Sequence, residues 1–146
     1  MSFTYKYPRP ALTVDCIIFL KEKENYKLLL IKRKFFPFQG QWALPGGFVD
    51  INENLETAAA RELAEETSLK NIKLTQFHTY GDLNRDPRGR TVSVVYTGFT
   101  NISNAEIMSG DDAGDAKWFD INNLPPLAFD HEKIIKSAVK KLIPDK

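Results

Sequence analysis

Two apolar runs open the chain. Residues 11–20 (ALTVDCIIFL) and 27–34 (KLLLIKRK) have strand length and are rich in branched side chains. The polar stretch Lys21–Asn25 between them reads as a turn. From Phe35 to Gly47 the pattern dissolves into a loop holding Pro37, Gly40, Pro45, Gly46 and Gly47. Leu55–Thr67 lacks Gly and Pro and carries four Ala, which predicts a helix. Residues 71–80 and 90–100 predict strands, with Asp82–Gly89 as a turn-rich loop between them. Asn101–Gly114 predicts another polar loop, Ala116–Phe119 a short strand, and His131–Leu142 an amphipathic helix. Strands, a helix, strands again and a final helix predict the α/β class, with a mixed sheet carrying helices on both faces.

Composition narrows this. The chain has 146 residues, which predicts one domain over 1–146. With 42% hydrophobic and 27% charged residues it reads as a soluble globular chain. The longest apolar run, Cys16–Leu20, is far short of the roughly 20 residues a membrane span needs. Met1–Pro10 has no apolar core and does not read as a signal peptide. Cys16 alone makes no internal disulfide, which fits a reducing, cytoplasmic compartment. The net charge of +1 gives no reason to expect a nucleic-acid or membrane partner. Its distribution is uneven. Residues 1–46 carry 8 basic and 3 acidic residues, residues 47–69 carry 1 and 6, and residues 70–146 carry 11 and 10.

The acidic segment is the informative one. On a helical wheel at about 100° per residue, Leu55, Ala59, Ala60, Leu63 and Ala64 fill one arc. Glu62, Glu65 and Glu66 fall on an adjoining arc, with Glu66 between Leu55 and Ala59 at the edge of the apolar face. Acids at this spacing repel, and a buried carboxylate needs compensation. A solvated acidic face is the plain alternative. The single basic residue of the helix is Arg61, so a hard divalent cation with oxygen ligands is the natural partner. The Pro45-Gly46-Gly47 turn lets backbone approach a metal or phosphate closely. Glu53 and Arg61 flank the helix start, where they would pair.

Gly47, Glu53 and Arg61-Glu62-Leu63-Ala64-Glu65-Glu66-Thr67-Ser68-Leu69 stand at spacings that resemble the Nudix box: G, five residues, E, seven residues, R-E-apolar-x-E-E-x-G-apolar. One position departs, with Ser68 where the pattern has Gly. It falls just past the helix end, where left-handed backbone favours Gly. Ser there is expected to cost on the order of 1 kcal/mol or less and to remove no ligand. The resemblance implies a Nudix-type α/β/α sandwich and a metal-dependent hydrolase of a nucleoside diphosphate linked to another group. It implies Mg²⁺ or Mn²⁺ held by Glu65, Glu66, the Gly46 carbonyl and Glu62, with Arg61 and Glu53 orienting the loop. Glu62 is also a candidate water-orienting group. The general base in this superfamily often lies outside the box. The candidates here are Glu106, Asp111, Asp112 and Asp115, with Asp112 preferred and Asp111 next, against an ordinary acidic turn at Gly110-Asp111-Asp112.

Gln41–Val49, Tyr80-Gly81-Asp82, Arg85–Arg90 with Pro87, and Leu127–His131 look like the ADP-ribose pyrophosphatase branch. That resemblance implies a small-molecule nucleotide substrate, ADP-ribose, cut to AMP and ribose 5-phosphate. It also implies a homodimer, which is common in the branch. Another ADP-sugar, a dinucleoside polyphosphate or a damaged nucleotide is the alternative substrate. A non-catalytic ADP-ribose sensor is the alternative class, although the box acids are intact and the chain ends at Lys146. Arg88 or Arg90 is expected at phosphate or terminal ribose. Of Lys32 and Arg33, one should face the phosphate and the other solvent; Arg33 is taken as the inward one. Among Phe35, Phe36 and Phe38, Phe38 is the candidate for stacking on adenine, with core packing or a dimer contact as the plainer role. Asp130 is expected to cap the last helix ahead of His131. His78 is expected to be packed or solvated, and Cys16 buried as a small hydrophobe.

Overall fold

The computed structural model describes residues 2–107 and 113–145. Among the described residues, seven strands and two helices follow one another. They are β1 (Ala11–Glu22), β2 (Asn25–Arg33), β3 (Trp42–Ala43), β4 (Gly46–Phe48), α1 (Leu55–Thr67), β5 (Thr75–Tyr80), β6 (Thr91–Asn101), β7 (Ala113–Asp120) and α2 (His131–Leu142). A 3-10 turn at Ile102–Asn104 follows β6. The sheet is mixed. Its main path runs β3-β2-β1-β6-β5, with β4 added to β1 and β7 to β2. β1 and β6 are parallel from Ala11↔Thr91 to Lys21↔Asn101.

Alternation along β1 sorts its side chains between two layers. Val14, Cys16 and Ile18 pack under α1 with Ala58, Ala59 and Leu63. Ile17 and Phe19 face α2 with Ile134, Ile135 and Ala138. The sheet is thus sandwiched between the two helices, as expected from the order of elements. Cys16 is fully buried, as expected.

β1 also changes partner along its length. Its first half pairs with β4 (Thr13↔Phe48, Asp15↔Gly46). Its second half pairs with β2 (Phe19↔Leu28 to Glu22↔Asn25). The strands fork between these two pairings, and the candidate site lies at the fork. β3 falls inside the segment expected to be a loop, and β4 begins in it and runs one residue past its end. At two and three residues they are too short to show a period, and pairing with β2 and β1 holds them.

The wheel of α1 needs one adjustment. Ala58, Ala59, Leu63 and Thr67 are buried, while Ala60 is exposed. The buried face is therefore centred near Glu66, which sits at its middle and not at its edge. Ser68 ends the helix in the left-handed region, with φ 64° and ψ 5°. Its N–H donates to the Ala64 carbonyl at 2.9 Å. Among the described residues no helix is long and apolar enough to cross a membrane.

Candidate active site

α1 presents its acids to the β4 turn. The Gly46 N–H donates to Glu66 Oε1 at 2.7 Å. Glu62 lies directly over Gly47, where a Cβ would collide with its carboxylate; a Cβ on Gly46 would meet the Val14 carbonyl and the Asp15 carboxylate. These close approaches explain why two glycines stand in the turn. Arg61 is the hub of the outer edge. It reaches Glu53 through Nη2 at 2.6 Å and Nε at 2.9 Å, and Glu62 and Glu65 through Nη1 at 2.9 and 3.2 Å. Its Nη2 also donates to the Phe48 carbonyl. The expected Glu53–Arg61 pair is present.

The carboxylates differ in environment. Hydrogen bonding from Arg61 holds Glu53 down at about 2 and pushes Arg61 itself up. Burial pushes Glu66 up to about 8; the Gly46 N–H opposes this, and the nearby Glu62 and Asp15 add to it. Burial also raises Glu62. Glu65 is exposed. Among the described residues, no three or more His, Cys, Asp or Glu side chains are gathered as a metal-holding group. Arg61 instead draws Glu62 and Glu65 to its own guanidinium. The donor set still fits a hard cation. The covered carboxylates of Glu62 and Glu66 face a turn backbone, Arg61 pairs with Glu62, and the raised proton affinities of both register the deficit of positive charge.

Beside these acids lies a cavity of about 130 Å³ walled by Gly46 and Glu66 on one side. Arg33 and Arg88 line it as well. Arg33 donates from Nε to the Pro37 carbonyl at 2.7 Å, while Lys32 is exposed, so the two split inward and outward as expected. Burial and the neighbouring Arg88 lower the proton affinity of Arg33. Arg88 forks onto Asp86 (2.7 Å) and lies over the Phe48 and Phe129 rings at 4.9 and 5.1 Å.

The other candidates are placed differently. Arg90 points away from the cavity and donates to the Gly81 carbonyl at 2.7 Å. Phe38 packs on Phe129 with ring centroids 4.8 Å apart, in a cluster with Ile31, Ala43 and Ala128. It does not line the cavity, so packing is the role the structure displays. Asp111 and Asp112 lie outside the described residues. Glu106 and Asp115 are exposed, and Asp115 accepts from the Ala116 N–H. Asp130 makes no side-chain cap on α2. Its carboxylate takes a fork from Arg85 at 2.8 and 2.9 Å instead. The arginine, buried on the loop before β6, competes successfully for the oxygens that a cap would use.

Several cavity residues were not singled out from sequence: Asp15, Ser93, Arg85 and, as a site residue, His131. Asp15 is 7% exposed, and burial pushes it up to about 7. Burial holds His131 down at about 4. The signal for Asp15 was a lone acid inside the apolar run of β1. Ser93 and His131 carried no comparable local mark.

A family model described as NUDIX domain matches residues 9–138. The ADP-ribose pyrophosphatase of Methanocaldococcus jannaschii is 49% identical over 134 residues, covering 92% of this chain and 76% of that protein. The ADPR responsive transcriptional repressor NtrR of Acinetobacter baylyi is 36% identical over 140 residues, 93% of this chain; the alignment covers 56% of the repressor. Among solved structures, the NUDIX domain of Shewanella oneidensis NrtR complexed with ADP ribose superposes with a TM-score of 0.86 at 35% identity. That match covers 93% of this chain and 90% of that one.

Proposed function

This chain belongs to the NUDIX domain family, and from that premise we propose that it is a metal-dependent pyrophosphohydrolase cleaving ADP-ribose to AMP and ribose 5-phosphate. The observation that carries the reading is Glu66. It is a largely covered carboxylate in the wall of the cavity, tied to the Gly46 N–H, with the guanidinium groups of Arg33, Arg85 and Arg88 lining the same space. Similarity to the M. jannaschii enzyme supports the substrate.

The Gly46 carbonyl, Glu62, Glu65 and Glu66 are the proposed holders of Mg²⁺ or Mn²⁺. Bound there, such an ion would supply charge neutralisation at the diphosphate and a lowered pKa for the attacking water. Arg61, braced by Glu53, sets the positions of Glu62 and Glu65. Arg33 and Arg88 bind the diphosphate oxygens, which suit guanidinium forks. Asp112, then Asp111, is the proposed base that accepts the water proton. One P–O bond to water forms as the bridging P–O bond breaks. A homodimer is proposed as the assembled form, which gel filtration checks.

A second reading is an ADP-ribose-binding domain without turnover; similarity to the A. baylyi repressor favours it. Incubation with Mg²⁺ or Mn²⁺ and a panel of ADP-ribose, NADH, ADP-glucose, diadenosine polyphosphates and oxidised nucleotides separates the two. The hydrolase reading expects the highest kcat/KM on ADP-ribose, with AMP released. Glu66→Gln is expected to abolish metal-dependent turnover while leaving the melting curve cooperative. ADP-ribose binding by the wild type with no AMP release would reject the enzyme in favour of the sensor.

A further inference from the structure

The cavity beside Glu66 ends in a polar floor that the box chemistry does not use. Alternation puts Thr13 and Asp15 of β1 on the face toward α2, and Ser93 of β6 lies beside them. His131, the first residue of α2, closes the floor. Asp15, Ser93 and His131 are 7%, 2% and 5% exposed. The Leu44 N–H donates to His131 Nδ1 at 3.0 Å. The neutral ring therefore carries its proton on Nε2, 4.0 Å from Asp15 Oδ2. That gap is too long for a hydrogen bond. It leaves a donor and an acceptor side by side; Asp15 already takes a hydrogen bond from Ser93, and its remaining acceptor capacity and the His131 N–H are able to serve a third group. Arg85 holds Ser93 from behind at 2.7 Å while locked to Asp130.

Size and connection identify the third group. The cavity is about 130 Å³, the scale of one five-membered sugar ring. Glu66 and Gly46 form its wall, so the unit that fills it is joined directly to the diphosphate. A nucleobase lies one sugar further from the phosphorus atoms. Of the two pentoses joined to the diphosphate, the terminal one brings no base that must also be housed beside this floor. A carboxylate is an acceptor with two oxygens, which matches the two O–H donors of a vicinal diol.

We infer that the Asp15–Ser93–His131 floor is the subsite for the terminal ribose, with Asp15 accepting from its vicinal hydroxyls and His131 Nε2 donating to one of them. This assignment rests on the ADP-ribose reading above. It makes Asp15 a specificity-determining residue that favours a free pentose over a larger group at the far end of the diphosphate.

The test compares two diphosphates in the intact protein: ADP-ribose, and the β-methyl ester of ADP, which lacks the terminal sugar. For wild type, Asp15→Asn and Ser93→Ala, kcat and KM are measured for each by AMP release. The ratio of kcat/KM for ADP-ribose to that for the ester is expected to fall at least roughly tenfold in Asp15→Asn, and less in Ser93→Ala. Equal losses on both compounds would overturn the assignment, since a merely structural role moves both together. A second arm needs no variant. An ADP-ribose analogue without the two vicinal hydroxyls of its terminal ribose is expected to lose at least tenfold in kcat/KM on the wild type; a change under twofold overturns the inference. If neither diphosphate is cleaved, the hydrolase reading falls. The same comparisons made as dissociation constants by calorimetry then still decide the subsite.

Discussion

Replacing Ser68 by Gly and by Ala separates a backbone term from the contribution of its side chain. Its φ of 64° and ψ of 5° lie in the left-handed region, where an L side chain costs about 1–2 kcal/mol and glycine nothing. The hydrogen bond closing the helix there is made by the backbone N–H to Ala64, so Ser68→Gly keeps it. Glycine also gains freedom in the unfolded chain, which offsets about 0.4–1 kcal/mol of the relief. The net expectation is a gain of about 0.5–1 kcal/mol. For a chain of this size each kcal/mol moves Tm by about 2–4 °C, so the variant should melt about 1–4 °C higher. Ser68→Ala is the control, because it removes the hydroxyl but keeps the Cβ in the same strained backbone. Calorimetric melts of the three proteins should place Gly above Ala by about 1 kcal/mol. Ser68 is exposed and lines no part of the cavity, so kcat/KM for AMP release should stay within about twofold. A glycine variant melting at or below the alanine variant would refute the strain argument. A large loss of turnover would refute the separation of this position from the site.

Two further expectations follow from charge. Glu66 titrates near 4.5 unfolded and about 8 folded, and Asp15 near 3.8 and about 7. The native state thus holds protons that the unfolded chain has lost, and stability falls as pH rises through those intervals. His131 acts oppositely, losing stability only as pH drops from 6.5 toward about 4. Above pH 6.5 the carboxylates dominate the remaining His131 contribution, so urea midpoints of metal-free protein should decline from pH 6.5 to 8 and recover on adding Mn²⁺; a flat profile would count against the buried acids. Arg85→Met should destabilise by about 2–4 kcal/mol in urea, near the low end of buried-pair losses, because Asp130 is 21% exposed while Arg85 is 6% exposed. A loss below 1 kcal/mol would mean that the Arg85–Asp130 fork is not what fixes the loop to α2.

Legibility followed the range of the forces. Leu55–Thr67 and His131–Leu142 emerged with their observed bounds because helix signals are local: propensity, period and breakers lie within one stretch. The Glu53–Arg61 pair, eight residues apart, was readable for the same reason. β3 and β4 were not, since two or three residues show no period and their structure comes from pairing with β2 and β1. The floor of the cavity is assembled from residues 13, 15, 93 and 131, and no local pattern announces such a meeting. Asp130 shows the same limit, because its cap position was visible but the competing Arg85, 45 residues earlier, was not.

The alternation of β1 places Asp15 in one layer and its neighbours Val14 and Cys16 in the other. A slip of one residue in the pairing with β6 would exchange these sets. Asp15 would then enter the apolar layer beneath α1, where nothing accepts a carboxylate, and Cys16 would occupy the polar floor. The acid that lines the cavity therefore also penalises the wrong strand register. Selection for what the cavity holds and selection for correct folding act on the same side chain.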